Sequence, residues 1–139
     1  MAPSLGLYRN PEREAEVCRK LAHAYSTQGK YLTSLEYLQK ALAIDTTLSD
    51  NRLNIIKDYE QIGKTQAYRG EMNEARKAME TALEKTEGLD RSIKEVNQRS
   101  FADTYLSVAQ IDFSTGEYFK AEEEALVALE IYEKVNDEF

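Results

Sequence analysis

The sequence predicts an all-α fold built from antiparallel helix pairs, and three observations carry that prediction. One pattern recurs three times with identical internal spacing: Leu21-Ala22, Gly29-Lys30-Tyr31 and Ala41-Leu42; Ile62-Gly63, Gly70-Glu71-Met72 and Ala82-Leu83; Val108-Ala109, Gly116-Glu117-Tyr118 and Ala128-Leu129. After each turn glycine, apolar or small residues follow at steps of three and four, as in Tyr31, Leu35, Leu38 and Leu42 or Tyr118, Ala121, Ala125, Ala128 and Leu129, the period of a helix face. The composition of the 139 residues, 42% hydrophobic and 31% charged with only 2 Pro and 6 Gly, belongs to a folded, helix-rich chain.

Six helices follow in order: 11 to 28, 30 to 45, 49 to 69, 71 to 86, 91 to 115 and 117 to 136. Gly29, Gly70 and Gly116 each divide a pair, because glycine enters the left-handed conformation that closes a helix without the steric cost other residues meet. The small residues Ala22, Gly63 and Ala109 on the leading helices, with Ser34, Ala75 and Ala121 on the trailing ones, let the two backbones of a pair approach. The glycines are 41 and 46 residues apart, so extra residues fall at 46 to 50 and 88 to 97, where Ser49 and either Asp90 or Ser92 are candidate caps. Residues 1 to 10 read as a flexible leader and 11 to 139 as one array, with units at about 15–48, 49–90 and 91–139.

These residues resemble the tetratricopeptide repeat (TPR) family over about residues 15 to 135. The first unit, Thr27-Gln28-Gly29-Lys30-Tyr31 with Ser34, Leu35, Glu36, Tyr37, Gln39, Lys40, Ala41, Leu42 and Asp45, lies near the family consensus, and the later units match at its small and bulky positions. Cys18, Tyr59 and Tyr105 stand where the family has an aromatic, and Thr46 stands where it closes a unit with proline. The period exceeds the family's usual figure of about 34. Long-helix repeats of this kind are similar to those of kinesin light chains, the LGN/Pins polarity adaptors and bacterial Rap-type peptide sensors.

The resemblance implies a right-handed superhelical array of three TPR-like antiparallel helix pairs, whose leading helices line a concave groove that holds a peptide or helix of a partner protein. Carried over by position, the groove residues are Arg19 and His23 from the first unit, Lys57, Glu60, Lys64 and Tyr68 from the second, and Asp103, Leu106, Gln110 and Phe113 from the third. Glu16 and Ser26 extend the same stripe. The family's two-carboxylate clamp maps onto Arg19, His23, Gln61, Asp103 and Ser107, and Asp103 breaks it. The competing expectation is a regulatory sensor in which a peptide or small ligand shifts the packing between repeats. Tyr25, Tyr31, Tyr59, Tyr105 and Tyr118 fall at positions that pack helix on helix.

The chemistry of the remaining residues argues against catalysis and cofactors. A single histidine, His23, and a single cysteine, Cys18, leave no histidine pair or multi-cysteine set for a metal and no intramolecular disulfide, and Cys18 reads as a packed apolar residue. Gly63-Lys64-Thr65 lacks the second glycine of a phosphate loop, Asp58 standing in its place. Glu122, Glu123 and Glu124 fan around a helix by about 100° each and do not converge on one cation. No catalytic residue, metal or cofactor is expected.

Net charge is −7, with 11 acids against 5 bases over residues 91 to 139, which disfavours nucleic acid and points to a basic partner if overall charge decides. No run approaches the roughly 18 apolar residues of a membrane span, so a cytoplasmic protein is expected. Leu126, Leu129, Tyr132 and Val135 are expected to stay partly uncovered on the last helix, which would favour a longer repeat protein or a homo-oligomer formed through the third unit.

Overall fold

The computed structural model describes residues 10–48 and 52–137. Among the described residues, seven helices stand in order: α1 (Pro11–Thr27), α2 (Tyr31–Thr47), α3 (Arg52–Tyr68), α4 (Met72–Glu87), α5 (Arg91–Val96), α6 (Gln98–Ser114) and α7 (Tyr118–Asp137). The described residues contain no strand. Three hairpins, α1/α2, α3/α4 and α6/α7, stack through α2 on α3 and α4 on α6, so each packs chiefly on its neighbour.

The predicted turns take one form. Gly29, Gly70 and Gly116 have φ of 77°, 82° and 88°, the left-handed region where a side chain would clash. At each, the residue after the glycine donates its N–H five residues back, Lys30 to Tyr25, Glu71 to Gln66 and Glu117 to Asp112, at 2.8–2.9 Å. The glycine N–H itself reaches Ser26, Ala67 or Phe113. These paired bonds satisfy carbonyls that a helix end leaves open and stop each leading helix at the same place in its unit. At the other end of α1, Asn10 accepts from the N–H of Arg13 at 3.2 Å with Pro11 at the first helical position.

The small positions work as the sequence suggests. Ala22, Ala75 and Ala121 are buried, and Ser34 donates its hydroxyl to the Ala22 carbonyl at 2.7 Å across the first hairpin. At Gly63, a Cβ would stand 3.0 Å from Met79 Cγ and 3.1 Å from the Ala75 carbonyl oxygen, so α4 would have to give way by a few tenths of an ångström, and the larger side chain of valine by more. Gly63→Val is therefore expected to destabilise the array by about 1–3 kcal/mol through overpacking, although removing a mid-helix glycine usually helps by up to about 1 kcal/mol. Urea denaturation reads the sign, and a stabilised variant would show that α3 and α4 are not in the contact described.

The core runs through the joints between hairpins. Ala22, Leu35 and Leu38 of the first meet Ile62 and Ala78 of the second, with Tyr37 and Leu42 against them. Ala75 and Met79 of the second meet Val108 and Ile111 of the third, while Ile56, Ala82, Leu89 and Phe101 form a further cluster nearer the connector. Because these clusters bridge units, burial of apolar surface at about 25 cal/mol per Å² stabilises the stack as well as each pair.

Several expectations change. The single helix expected from 91 to 115 is two, because Asn97 takes φ −115° and ψ 32° and its side-chain amide donates to the Ile93 carbonyl at 2.9 Å, competing with the helical ladder. Asp90 precedes α5 but its side chain makes no cap bond; its carbonyl instead accepts from Ile93 and Lys94. Ser92 lies inside α5. Val135 is buried, because it shares the seven-residue stripe of Ala121 and Ala128 that faces into the third hairpin, whereas Leu126 and Leu129 are 55% and 51% exposed. Tyr118 is exposed and meets Phe113 edge-on at 5.2 Å. The Ser49 cap and the leader through residue 9 lie outside the described residues.

Candidate functional site: a trough along the leading helices

A trough of about 1010 Å³ runs across the three leading helices. α1 contributes Glu16, Arg19, Lys20, His23 and Ser26; α3 contributes Lys57, Glu60, Gln61, Lys64 and Tyr68; α6 contributes Ser100 and Asp103. The three- and four-residue steps within each helix put these side chains on one face, which is why position in the repeat identified most of them. Leu106, Gln110 and Phe113 do not join them: they continue along α6, exposed but beyond the trough lining. Only the first turns of α6 reach the trough.

Two of the predicted groove residues have their charge taken elsewhere. The Arg19 guanidinium reaches away from solvent to Asp45 Oδ2 at 2.7 Å and Asp58 Oδ1 at 3.5 Å, tying α1 to α2 and α3. Asp58 is fully buried; desolvation, then its hydrogen bond and like charge with Asp45, push its carboxyl up to about 8 despite Arg19. Glu60 is also buried and accepts from the Thr104 hydroxyl at 2.8 Å, a link from α3 to α6. Burial raises the Glu60 carboxyl above the ordinary carboxylate range, against the lowering effect of the Thr104 hydrogen bond.

What remains facing a ligand is different from the sequence-level picture. Lys20, Lys57 and Lys64 supply positive charge along the lining, against Glu16 and Asp103. Asp103 also accepts from the Tyr132 hydroxyl of α7, whose phenol is pushed up to about 12 by burial and by that carboxylate. Tyr31, expected to serve helix packing, lines the trough and stacks on Tyr68 with ring centroids 5.6 Å apart. Lys20 and Tyr31 were missed because one follows the stripe residue Arg19 by a single step and the other belongs to a trailing helix. Tyr25 and Tyr59 behave as expected: Tyr25 stacks on Tyr37 at 5.6 Å, and Tyr59 packs on the cluster around Ile56.

The rest of the molecule supplies little redox or metal chemistry. Cys18 is half-buried and burial raises its thiol, which disfavours the reactive thiolate. Among the described residues, no group of three or more His, Cys, Asp or Glu is placed to hold a metal, and no helix is long and apolar enough to cross a membrane.

Known structures share this architecture at low sequence identity. BtubC (BKLC) from P. vanneervenii superposes with a TM-score of 0.79 at 19% identity, covering 88% of this chain and 48% of that one. The apo form of RapI gives 0.80 at 20% identity over 95% of this chain and 35% of its own. A TPR-like repeat protein of Podosopora anserina, described as a kinesin light chain, gives 0.71 at 18% identity over 94% of this chain and 62% of its own. The chain thus spans less than two thirds of the length of each. No curated protein sequence matches it. The sequence profile of the tetratricopeptide repeat matches residues 14–87, more than half the chain, and with the glycine-closed hairpins this places the protein in the tetratricopeptide repeat family.

Proposed function

We propose that the chain is a protein-interaction scaffold, with no catalytic role, that holds a peptide or helix of a partner in the trough. The observation that carries this reading is one concave face, about 1010 Å³ in volume, to which all three leading helices contribute polar side chains and to which Tyr31 and Tyr68 contribute an aromatic pair. Aromatic anchors framed by polar contacts are the usual makeup of a binding hot spot. The lining favours a segment bearing carboxylates, because the accessible Lys20, Lys57 and Lys64 outnumber the accessible acids Glu16 and Asp103, Arg19 being held by Asp45 and Glu60 being buried against Thr104. Local charge thus reverses the basic partner suggested by the net charge of −7.

Lys64→Glu combined with Tyr68→Ala is expected to weaken capture of acidic peptides from a displayed library of acidic, basic and neutral twelve-residue segments by about tenfold or more, with helicity unchanged. Equal retention by the variant would remove the trough from consideration. The half-exposed Leu126 and Leu129 support a second contact on the outer face of α7, with a further repeat or a second copy of the chain. A lone cysteine suits a reducing compartment, and the cytoplasm is the proposed setting.

A further inference from the structure

A second cavity of about 390 Å³ lies between α4 and α7 over Tyr105 of α6, and shares no lining residue with the trough. One bank carries Glu80, Glu84 and Glu87, placed on one face of α4 by their four- and three-residue spacing. The other carries Glu123 and Glu124 of α7, and Leu83 and Val127 supply apolar surface between the banks. Acidic banks alone are only a solvated surface, but Glu124 is not solvated. It is 6% exposed, and neither of its carboxyl oxygens has a hydrogen-bond donor among the described residues. Asp112, fully buried behind it, has no donor either, its nearest cation being Arg76 Nε at 3.9 Å. The two buried carboxyl groups face each other, so they are satisfied either by a proton held between them or by an incoming donor, because an unsatisfied buried oxygen costs about 1–3 kcal/mol.

We propose that this cleft binds an alkylammonium group on an aliphatic stem, with the cationic head beside Glu124 and the stem along Leu83 and Val127. A metal ion is the poorer fit, since no three ligating side chains converge and the carboxylates are strung along the banks. Lys120 is the built-in stand-in for such a ligand: its ammonium reaches Glu80 at 2.7 Å from the same cavity wall. The groups facing Glu124 are Arg76, Glu80, Glu84 and Glu87 from α4, Tyr105 and Asp112 from α6, and Lys120 and Glu123 from α7. Tyr105 donates to Glu87 at 3.3 Å.

A proton linkage accompanies the binding. Burial, then the hydrogen bond and like charge of Asp112, push the Glu124 carboxyl up to about 8, so it holds a proton at neutral pH. An ammonium group placed beside it favours the carboxylate, and that proton leaves to solvent as the ligand enters.

Titration calorimetry at pH 7 in two buffers of different ionisation heat tests this, with spermidine in one arm and the tripeptide acetyl-Gly-Lys-Gly-amide in the other. One-site binding with proton release is expected in at least one arm; spermidine alone identifies a free polyamine, and the tripeptide identifies a lysine side chain of a partner. Glu124→Gln, nearly isosteric with the protonated acid, is expected to keep the helicity, abolish the proton release and weaken binding about tenfold, the scale of one charge-assisted hydrogen bond. Glu36→Gln, an exposed acid on α2, is expected to change nothing, and Lys120→Gln is expected to tighten binding by removing the internal competitor. Heat in neither arm, equal binding by Glu124→Gln, an equal loss in Glu36→Gln, or no tightening in Lys120→Gln would each overturn the proposal.

Discussion

Arg19→Ala is expected to destabilise the protein by about 3–5 kcal/mol, the range for removing one partner of a buried charge pair. The alternative magnitude is that of a surface salt bridge, about 0–1 kcal/mol. Burial decides between them. The Arg19 side chain is 22% exposed, but the carboxyls it serves, Asp45 and Asp58, are 1% and 0% exposed and sit on two other helices. Without the guanidinium, two facing carboxyl groups at the joint of the first and second hairpins lose the cation that bridges them. Arg19→Lys is expected to recover only part of the loss, because one ammonium point charge cannot reproduce the planar fork that reaches both acids. Urea unfolding measures both, and an Arg19→Ala loss below about 1 kcal/mol would mean that water solvates this pair after all.

Stability is expected to fall, not rise, as pH goes from about 4 to about 8. Asp58 and Glu124 both have folded-state pKa values raised to about 8, whereas the unfolded chain titrates near the ordinary carboxyl values of about 4. Between those limits the folded protein binds more protons than the unfolded one, so the stabilisation present below the unfolded value drains away as pH rises through the folded value. Each group can contribute a slope of up to about 1.4 kcal/mol per pH unit, and the curve flattens above pH 8. Glu60, raised by burial, acts in the same direction. General self-repulsion of a chain carrying −7 also weakens it at high pH, so the discriminating variant is Asp58→Asn, which removes one titration and flattens the curve by about half. A urea midpoint that climbs between pH 5 and pH 8, as it does when acids are stabilised by salt bridges, would contradict the shared-proton account.

The fold was largely legible because its determinants are local. Glycine position sets where each leading helix stops, and residues three and four apart share a face whatever lies elsewhere in the chain. The identity of the trough followed from the same rule, and so did the places of His23, Lys57, Lys64, Tyr68 and Asp103 in it. What failed was the fate of individual charges. Arg19 has the right spacing for a groove cation, but its partners stand 26 and 39 positions further along the chain, and only packing brings them within 2.7 and 3.5 Å. Glu60 is withdrawn in the same way by Thr104, 44 residues away. Leu106, Gln110 and Phe113 keep the helical spacing of the stripe but lie beyond the lining, which α6 reaches only through Ser100 and Asp103. Asn97 was the one local signal left unread: an amide side chain able to bond its own backbone, set where a long helix was expected to continue.

The turn that Asn97 creates separates two quantities that a straight rod would lock together. Residues 91–96 are wound into their own short helix, which packs mainly on α6, while the spacing inside the third hairpin stays identical to that of the first two. The extra chain between the second and third units is absorbed at this connector, where Leu89 and Ile93 pack into the cluster around Ile56, so the insertion acts as a fastener between hairpins and not as slack.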